Sequence, residues 1–154
     1  MRTESNEACG HASHSRHAEE TMLTSGIDHV GLTVRNLDAT REFFVQCLGW
    51  QVVGEKPDYP AAFVSDGKLM VTLWQVKDES APIAFDRRKN IGLHHLALRA
   101  TDEAALATIL ERVSAWPGVT VEFPPEPLGA GPKRHMMIYE PGGIRLEFDF
   151  DPRV

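Results

Sequence analysis

Cysteine is scarce in this chain, which has only Cys9 and Cys47 among its 154 residues. Cys9 falls in a polar N-terminal stretch and Cys47 in a predicted helix, so a structural disulfide is not expected. The N-terminus also lacks the basic-then-apolar layout of a secretory signal. Both observations predict a protein of the reducing cytoplasm.

Runs of basic residues and long apolar runs are missing as well. Lysine and arginine total 16 against 22 acidic residues, which gives a formal net charge of −6. Nucleic-acid binding is not expected, because phosphate contacts need a concentrated basic face. A membrane span is not expected either, because no segment approaches the roughly 20 apolar residues that it needs. The predicted partner is a small molecule.

Residues 1–25 are polar, rich in His, Glu, Ser and Ala, and without sustained apolar periodicity. They are predicted to form a disordered N-terminal arm. Segment 26–150 is predicted to be a single domain, since it is long enough for a core of its own. His11, His14 and His17 in the arm are close in sequence, but ordering a flexible segment costs entropy, so no dedicated metal site is predicted there.

The remaining sequence contains an internal repeat. Residues 27–34 read against residues 93–100, with His29 and His95 at the third place of each copy. Each copy leads into an amphipathic stretch, and each half finishes on a glycine hairpin and a strand. Modules 26–77 and 91–150 are therefore each predicted to contain a strand, a helix and three strands.

Local patterns set the expected bounds of these elements. Asn36 and Asp102 are the predicted N-caps of the two helices, which end at Gly49 and Val113. The predicted strands cover 27–34, 50–54, 61–65, 68–76, 93–100, 119–123, 135–139 and 144–148.

Two further segments are predicted to be irregular. The charged linker 77–90 carries Arg87, Arg88 and Lys89, which are predicted to be solvated, with contact to an anionic substrate as the alternative. A Pro/Gly-rich loop is predicted over 124–132, and its part Leu128-Gly129-Ala130-Gly131 is predicted to be a mobile flap over the site, or else a plain turn.

Strand alternation predicts where a site lies. In the last strand Ile144, Leu146 and Phe148 alternate with polar residues that include Glu147, so Glu147 points away from the apolar face. The same test turns His29 and His95 away from the face that packs on the helices. Two imidazoles and one carboxylate are the minimum set for a mononuclear metal site.

These features together resemble the vicinal oxygen chelate superfamily, which includes glyoxalase I, bleomycin- and fosfomycin-resistance proteins, methylmalonyl-CoA epimerase and extradiol dioxygenases. The resemblance rests on Asp28-His29-Val30, on the helix end Phe-Phe-x-x-x-Leu-Gly over 43–49, on Leu93-His94-His95-Leu96-Ala97, and on segment 140–148. It implies an α+β fold, with two tandem β-α-β-β-β modules forming a cup-shaped mixed sheet around one divalent metal (Zn, Mn, Fe, Ni or Co).

The resemblance also implies roles for single residues. His29, His95 and Glu147 match the metal ligands, and the family's fourth ligand position falls on Thr72, a poor ligand. Glu147 is then also a candidate catalytic base. His94 faces the other way and is expected to pack or cap.

Four residues are predicted to line the substrate pocket, namely Thr72, Trp74, Met137 and Tyr139. For Trp74 and Tyr139, plain packing is the alternative. His135 shares the face of Met137 and Tyr139 and is a candidate catalytic acid or base, with a surface histidine as its alternative.

The function implied is that of a metal-dependent glyoxalase-like enzyme, a lyase or isomerase working through a metal-stabilised enediolate. The alternatives are a non-haem Fe(II) extradiol-type dioxygenase, a fosfomycin-type transferase, and a bleomycin-type binding protein. The resemblance further implies a homodimer, with His29 and His95 of one site supplied either by one chain or by two different chains.

Overall fold

The order strand, helix and three strands occurs twice in residues 22–154, the part of the chain that the computed structural model describes. The first module contains β1 (His29–Val34), α1 (Leu37–Glu42), a π-helical turn (Phe43–Cys47), β2 (Gln51–Lys56), β3 (Ala61–Ser65) and β4 (Met70–Gln75). The second contains β5 (Leu96–Arg99), α2 (Glu103–Ala115), β6 (Thr120–Pro127), β7 (Arg134–Tyr139) and β8 (Arg145–Phe150). The arm predicted over 1–25 lies outside the described residues except for 22–25, and it stays a prediction.

Each module builds one mixed sheet of four strands. The strand orders are β1-β4-β3-β2 and β5-β8-β7-β6, and in each sheet the first strand runs parallel to the last one in sequence. The predicted α+β fold of two β-α-β-β-β modules is confirmed. The strands do not form one continuous cup, however, because no ladder joins the two sheets within the described residues.

The helices begin where the capping residues predict. The side chain of Asn36 accepts a hydrogen bond from the backbone N–H of Ala39, and Asp102 accepts one from Ala105. The first helix does not stay α-helical to its end, since the N–H of Leu48 bonds the carbonyl of Phe43, five residues earlier. Gly49, with φ of +78°, then ends it.

The predicted loop over 124–132 is partly wrong, because β6 continues to Pro127. Prolines are tolerated there because β6 pairs on one side only, with β7, and an edge strand can lack some N–H donors. The ladder shifts register between Phe123 and Glu126, next to these prolines.

Both modules contribute to one hydrophobic core. The rings of Phe43 and Trp116 meet edge to face across the two modules, with centroids 6.4 Å apart. Thr40 and Glu140 form a buried hydrogen bond of 2.8 Å that also joins the modules. Of the helices among residues 22–154, none has the length and apolar character of a bilayer-crossing segment.

Candidate active site

Glu147 stands between two histidines on the second sheet. It lies in β8 with Ala97 of β5 and Met137 of β7 as register partners, and it is only 8% exposed. Its Oε2 is 3.0 Å from Nε2 of His95, and its Oε1 is 2.6 Å from Nδ1 of His135. The structure thus brings together three of the four residues predicted to be metal ligands or catalytic groups.

A second histidine extends this cluster. Nδ1 of His94 is 2.8 Å from Nδ1 of His95, directly before β5. At this distance one nitrogen must carry the proton while the other supplies a lone pair. Partial desolvation, and next the positive charge of Arg145, lower the pKa of the exposed His94, which favours its neutral ring. His94 therefore does more than the packing or capping that was predicted, because it contacts the candidate ligand directly.

His29 lies at the start of β1 in the first module, with its side chain 48% exposed. Its Nδ1 is 2.7 Å from Oδ2 of Asp28. Within residues 22–154 it forms no hydrogen bond or ion pair with His95 or Glu147, and no group of three or more His, Cys, Asp or Glu side chains there is arranged around a common metal position. The assignment of His29 as a ligand stays a prediction.

The residues present nevertheless suit a divalent metal. Two ligand atoms about 2.1 Å from one ion lie about 3.4 Å apart at the tetrahedral angle and about 3.0 Å apart at the right angle of octahedral coordination. His95 Nε2 and Glu147 Oε2, 3.0 Å apart, fit the octahedral separation. In His29, Asp28 occupies Nδ1 and leaves Nε2 available to a metal, an arrangement common among metal-bound histidines.

Thr72 is engaged in a different way. It is buried, and its Oγ1 accepts a 2.9 Å hydrogen bond from Nε1 of Trp74. Trp74 in turn packs against the rings of Tyr59 and Phe63. A Cβ at Gly31 on β1 would meet Thr72 Oγ1 at 3.3 Å, so the strands approach closely here. This corner of the first module is filled by packing.

A cavity of about 350 Å³ opens between β1 and the second module. Tyr139, His94 and Arg145 line it, whereas Thr72, Trp74 and Met137, the other predicted pocket residues, do not. A larger groove of about 600 Å³ lies beside α2, and no histidine or glutamate lines it. The smaller cavity meets the histidine cluster at His94, whereas His95, Glu147 and His135 are not among its lining residues.

The linker contributes three residues to this cavity, and one of them is Arg87, contrary to the prediction of a solvated arginine. Arg87 is 25% exposed; its Nη1 donates to the hydroxyl of Tyr139 at 2.6 Å and its Nη2 to Glu122 at 3.2 Å. Glu122 also accepts a 2.7 Å hydrogen bond from Nε of Arg145. That bond is the main cause that lowers the pKa of Glu122.

Sequence reasoning missed Glu122, Arg145 and His94 as site residues. Arg145 could have been identified from the sequence, because alternation along the last strand puts it on the same face as Glu147. No local pattern pointed to Glu122, whose partners Arg87 and Arg145 are 35 and 23 residues away in the chain.

Solved structures of other proteins resemble this chain in sequence and fold. The glyoxylase/bleomycin resistance protein/dioxygenase domain from Frankia sp. EAN1pec is 25% identical, with a TM-score of 0.70 over 82% of this chain and 92% of that one. Lactoylglutathione lyase from Agrobacterium tumefaciens is 22% identical, with a TM-score of 0.63 over 84% of this chain and 96% of that one. At this level of identity, the similarity shows only that the two proteins share a fold.

A curated relative matches over a shorter stretch. Catechol-2,3-dioxygenase of Bacillus subtilis (strain 168) is 28% identical over 88 residues, which are 55% of this chain and 30% of that enzyme. This chain therefore matches less than a third of that protein. The family model of the Glyoxalase/Bleomycin resistance protein/Dioxygenase superfamily matches residues 26–148, nearly all of the two modules described above. The chain belongs to this superfamily.

Proposed function

We propose that this chain is a divalent-metal-dependent enzyme of glyoxalase-like type, a lyase or isomerase that acts on a small molecule with two neighbouring oxygens. The observation that carries the proposal is the position of Glu147, whose two carboxylate oxygens lie 3.0 Å from His95 and 2.6 Å from His135. A buried carboxylate between two imidazoles suits both metal binding and proton transfer.

In this proposal His29, His95 and Glu147 hold the metal. When bound, the ion supplies Lewis-acid polarisation of a carbonyl oxygen of the substrate. Membership of the superfamily supports a divalent metal without selecting which one. Asp28 positions His29, and His94 positions His95, each through a contact at Nδ1.

His135 is proposed to move the proton. It is mostly buried, its Nδ1 faces Glu147, and its Nε2 lies 3.8 Å from a carboxylate oxygen of Glu126. The hydrogen bond to Glu147 holds the ring in one orientation, as a general acid or base requires. With a substrate bound, His135 would take a proton from the carbon beside the carbonyl and return it at the neighbouring position.

Ring cleavage of a catechol is the second candidate function. The similarity to a catechol-2,3-dioxygenase favours it, and two histidines with one carboxylate suit non-haem Fe(II). A fosfomycin-type transferase has weaker support, since the related resistance protein from Listeria monocytogenes is 19% identical and shows the fold alone. A bleomycin-type binding protein would leave the cluster around Glu147 without a role.

The experiment is a substrate screen on protein loaded in turn with Zn, Mn, Ni, Co and Fe(II). Hemithioacetals, catechols and epoxide antibiotics represent the three chemistries. We expect turnover of a hemithioacetal or related α-hydroxycarbonyl compound without oxygen consumption. Oxygen uptake with a catechol would replace the first proposal by the second, and binding without turnover of any class would contradict both.

Cellular location and oligomeric state are two further proposals. A cytoplasmic location is supported by Cys47, a free and buried thiol among the described residues. A homodimer is supported by family resemblance. It is also supported by His29, which does not contact His95 or Glu147 within the described part of its own chain; in a dimer, the His29 of one copy can lie next to the second module of the other. Light scattering during size-exclusion chromatography measures the mass directly, and a monomeric mass contradicts the dimer.

A further inference from the structure

The cavity that His94 lines has a charged wall that the proposed chemistry does not use. Arg87 and Arg145 both line it, and Glu122 bridges them, with one carboxylate oxygen on each guanidinium group. Two positive charges against one negative charge leave an excess of one positive charge on this wall.

Asp86 lines the same cavity but does not cancel that excess. One of its carboxylate oxygens accepts the backbone N–H of Arg88 at 2.9 Å, and the other lies 3.6 Å from the ammonium nitrogen of Lys89. The charge of Asp86 is therefore balanced within its own turn.

The two guanidinium groups keep donors for a ligand. Arg87 donates through Nη1 and Nη2, and Arg145 through Nε to Glu122, with Nη1 at 3.5 Å from His94. Each guanidinium carries five N–H groups. Among residues 22–154 no fully buried side-chain nitrogen lacks a partner, so a guanidinium nitrogen without a hydrogen bond, such as Nε of Arg87, is not fully buried. Such planar donor sets match carboxylates well.

The rest of the cavity wall is apolar. It is lined by Leu32 of β1, by Ile144 next to β8, and by Phe85 and Leu93 of the segment between the modules. A volume of about 350 Å³ is at the lower end for small-molecule sites. We propose that this cavity binds an amphipathic monocarboxylate, with its carboxylate on Arg87 and Arg145 and its apolar body against Leu32, Phe85 and Ile144.

The position of Arg145 relates this ligand to the candidate metal site. Arg145 and Glu147 share one face of β8, and alternate residues of a strand lie about 7 Å apart. A carboxylate on Arg145 is therefore held about two strand residues from the candidate metal ligand Glu147. In taking this ligand to be the substrate, the inference rests on the proposed function, whereas the binding of the carboxylate does not.

Calorimetric titration of the full chain tests the inference, with 3-phenylpropionate and its uncharged match 3-phenylpropanamide as probes. We expect the carboxylate to bind about tenfold or more tightly than the amide, a difference of about 1.4 kcal/mol or more. Arg87→Gln should abolish this preference. Arg88→Gln removes the same charge from the adjacent, exposed linker position and should leave the preference intact.

Further variants keep the result interpretable. Arg87→Lys retains the charge without the planar donor set and should give an intermediate preference, while circular dichroism confirms the fold of each variant. Glu147→Gln should retain carboxylate binding even if it loses the metal, so a failure of the metal proposal is seen separately. Equal binding of the two probes, absence of binding by both, or equal effects of Arg87→Gln and Arg88→Gln would overturn the inference.

Discussion

Nδ1 of His135 lies 2.6 Å from Oε1 of Glu147, although the two residues belong to different strands of the hairpin β7–β8. Both side chains are largely buried, so the pair is shielded from solvent. A contact of this length fixes which nitrogen of His135 faces the carboxylate and leaves the other ring nitrogen for a different partner. The pair therefore links the proposed metal ligand to the proposed proton-transfer residue.

The first prediction concerns catalysis at this pair. His135→Asn should retain bound metal but lower turnover by about 10²- to 10⁴-fold, the usual contribution of a general acid or base. Steady-state kinetics with the substrate found in the screen, together with metal analysis of the same sample, measures both effects. His17→Asn in the N-terminal arm is the matched control and should leave both unchanged. Undiminished turnover in His135→Asn would remove this residue from the mechanism.

The second prediction concerns the link between the modules. Thr40 and Glu140 are 0% and 1% exposed, and the threonine hydroxyl donates to the glutamate carboxylate at 2.8 Å. Thr40→Val keeps the shape but removes a donor from a buried carboxylate, which should lower the free energy of unfolding by about 1–3 kcal/mol.

Urea denaturation measures this change. Thr108→Val, at an exposed position of α2, is the matched control and should change stability by less than about 0.5 kcal/mol. Equal effects of the two substitutions would show that the Thr40–Glu140 hydrogen bond does not stabilise the contact between modules.

The third prediction concerns the pH dependence of stability. The hydrogen bond from Arg145 lowers the pKa of Glu122 below its usual 4.5. A lowered pKa means that the folded protein favours the ionised form, so the stabilisation is present above pH 4.5 and is lost as the pH falls through the lowered pKa. Wild type should therefore be more stable than Glu122→Gln near neutral pH, and the difference should shrink in acid.

Thermal or urea unfolding at a series of pH values measures that difference. Glu111→Gln, an exposed position on α2, serves as the control for a change of net charge alone. A difference between wild type and Glu122→Gln that stays constant from neutral pH to pH 3 would contradict the role assigned to the Arg145–Glu122 pair.

The sequence was sufficient for the modular fold because its signals are local. Asn36 and Asp102 cap their helices through their own side chains. The alternation around Glu147 places it on the face of β8 opposite Leu146 and Phe148. Periodicity could not distinguish a π-helical turn over Phe43–Cys47 from a further α-helical turn, since both bury Phe43 and Phe44. The change depends on how the helix end packs, which is a tertiary effect.

The charged wall of the cavity could not be predicted for a related reason. Arg87 meets the hydroxyl of Tyr139 across 52 residues, and its place depends on the path of the linker between modules. A run of basic residues in a charged segment is usually solvated, so composition favoured the wrong environment for Arg87. The relation between the two sheets, and with it the position of His29 relative to Glu147, is likewise set by packing between modules.

Metal analysis of purified protein tests the central claim most directly. We predict about one divalent ion per chain in the wild-type protein and in the control variant His17→Asn. The variants His95→Ala and Glu147→Gln should lose that ion, because each substitution removes one ligand from the single site. Equal metal content in wild type, His95→Ala and Glu147→Gln would contradict the assignment of His95 and Glu147 as ligands and, with it, the proposed enzyme.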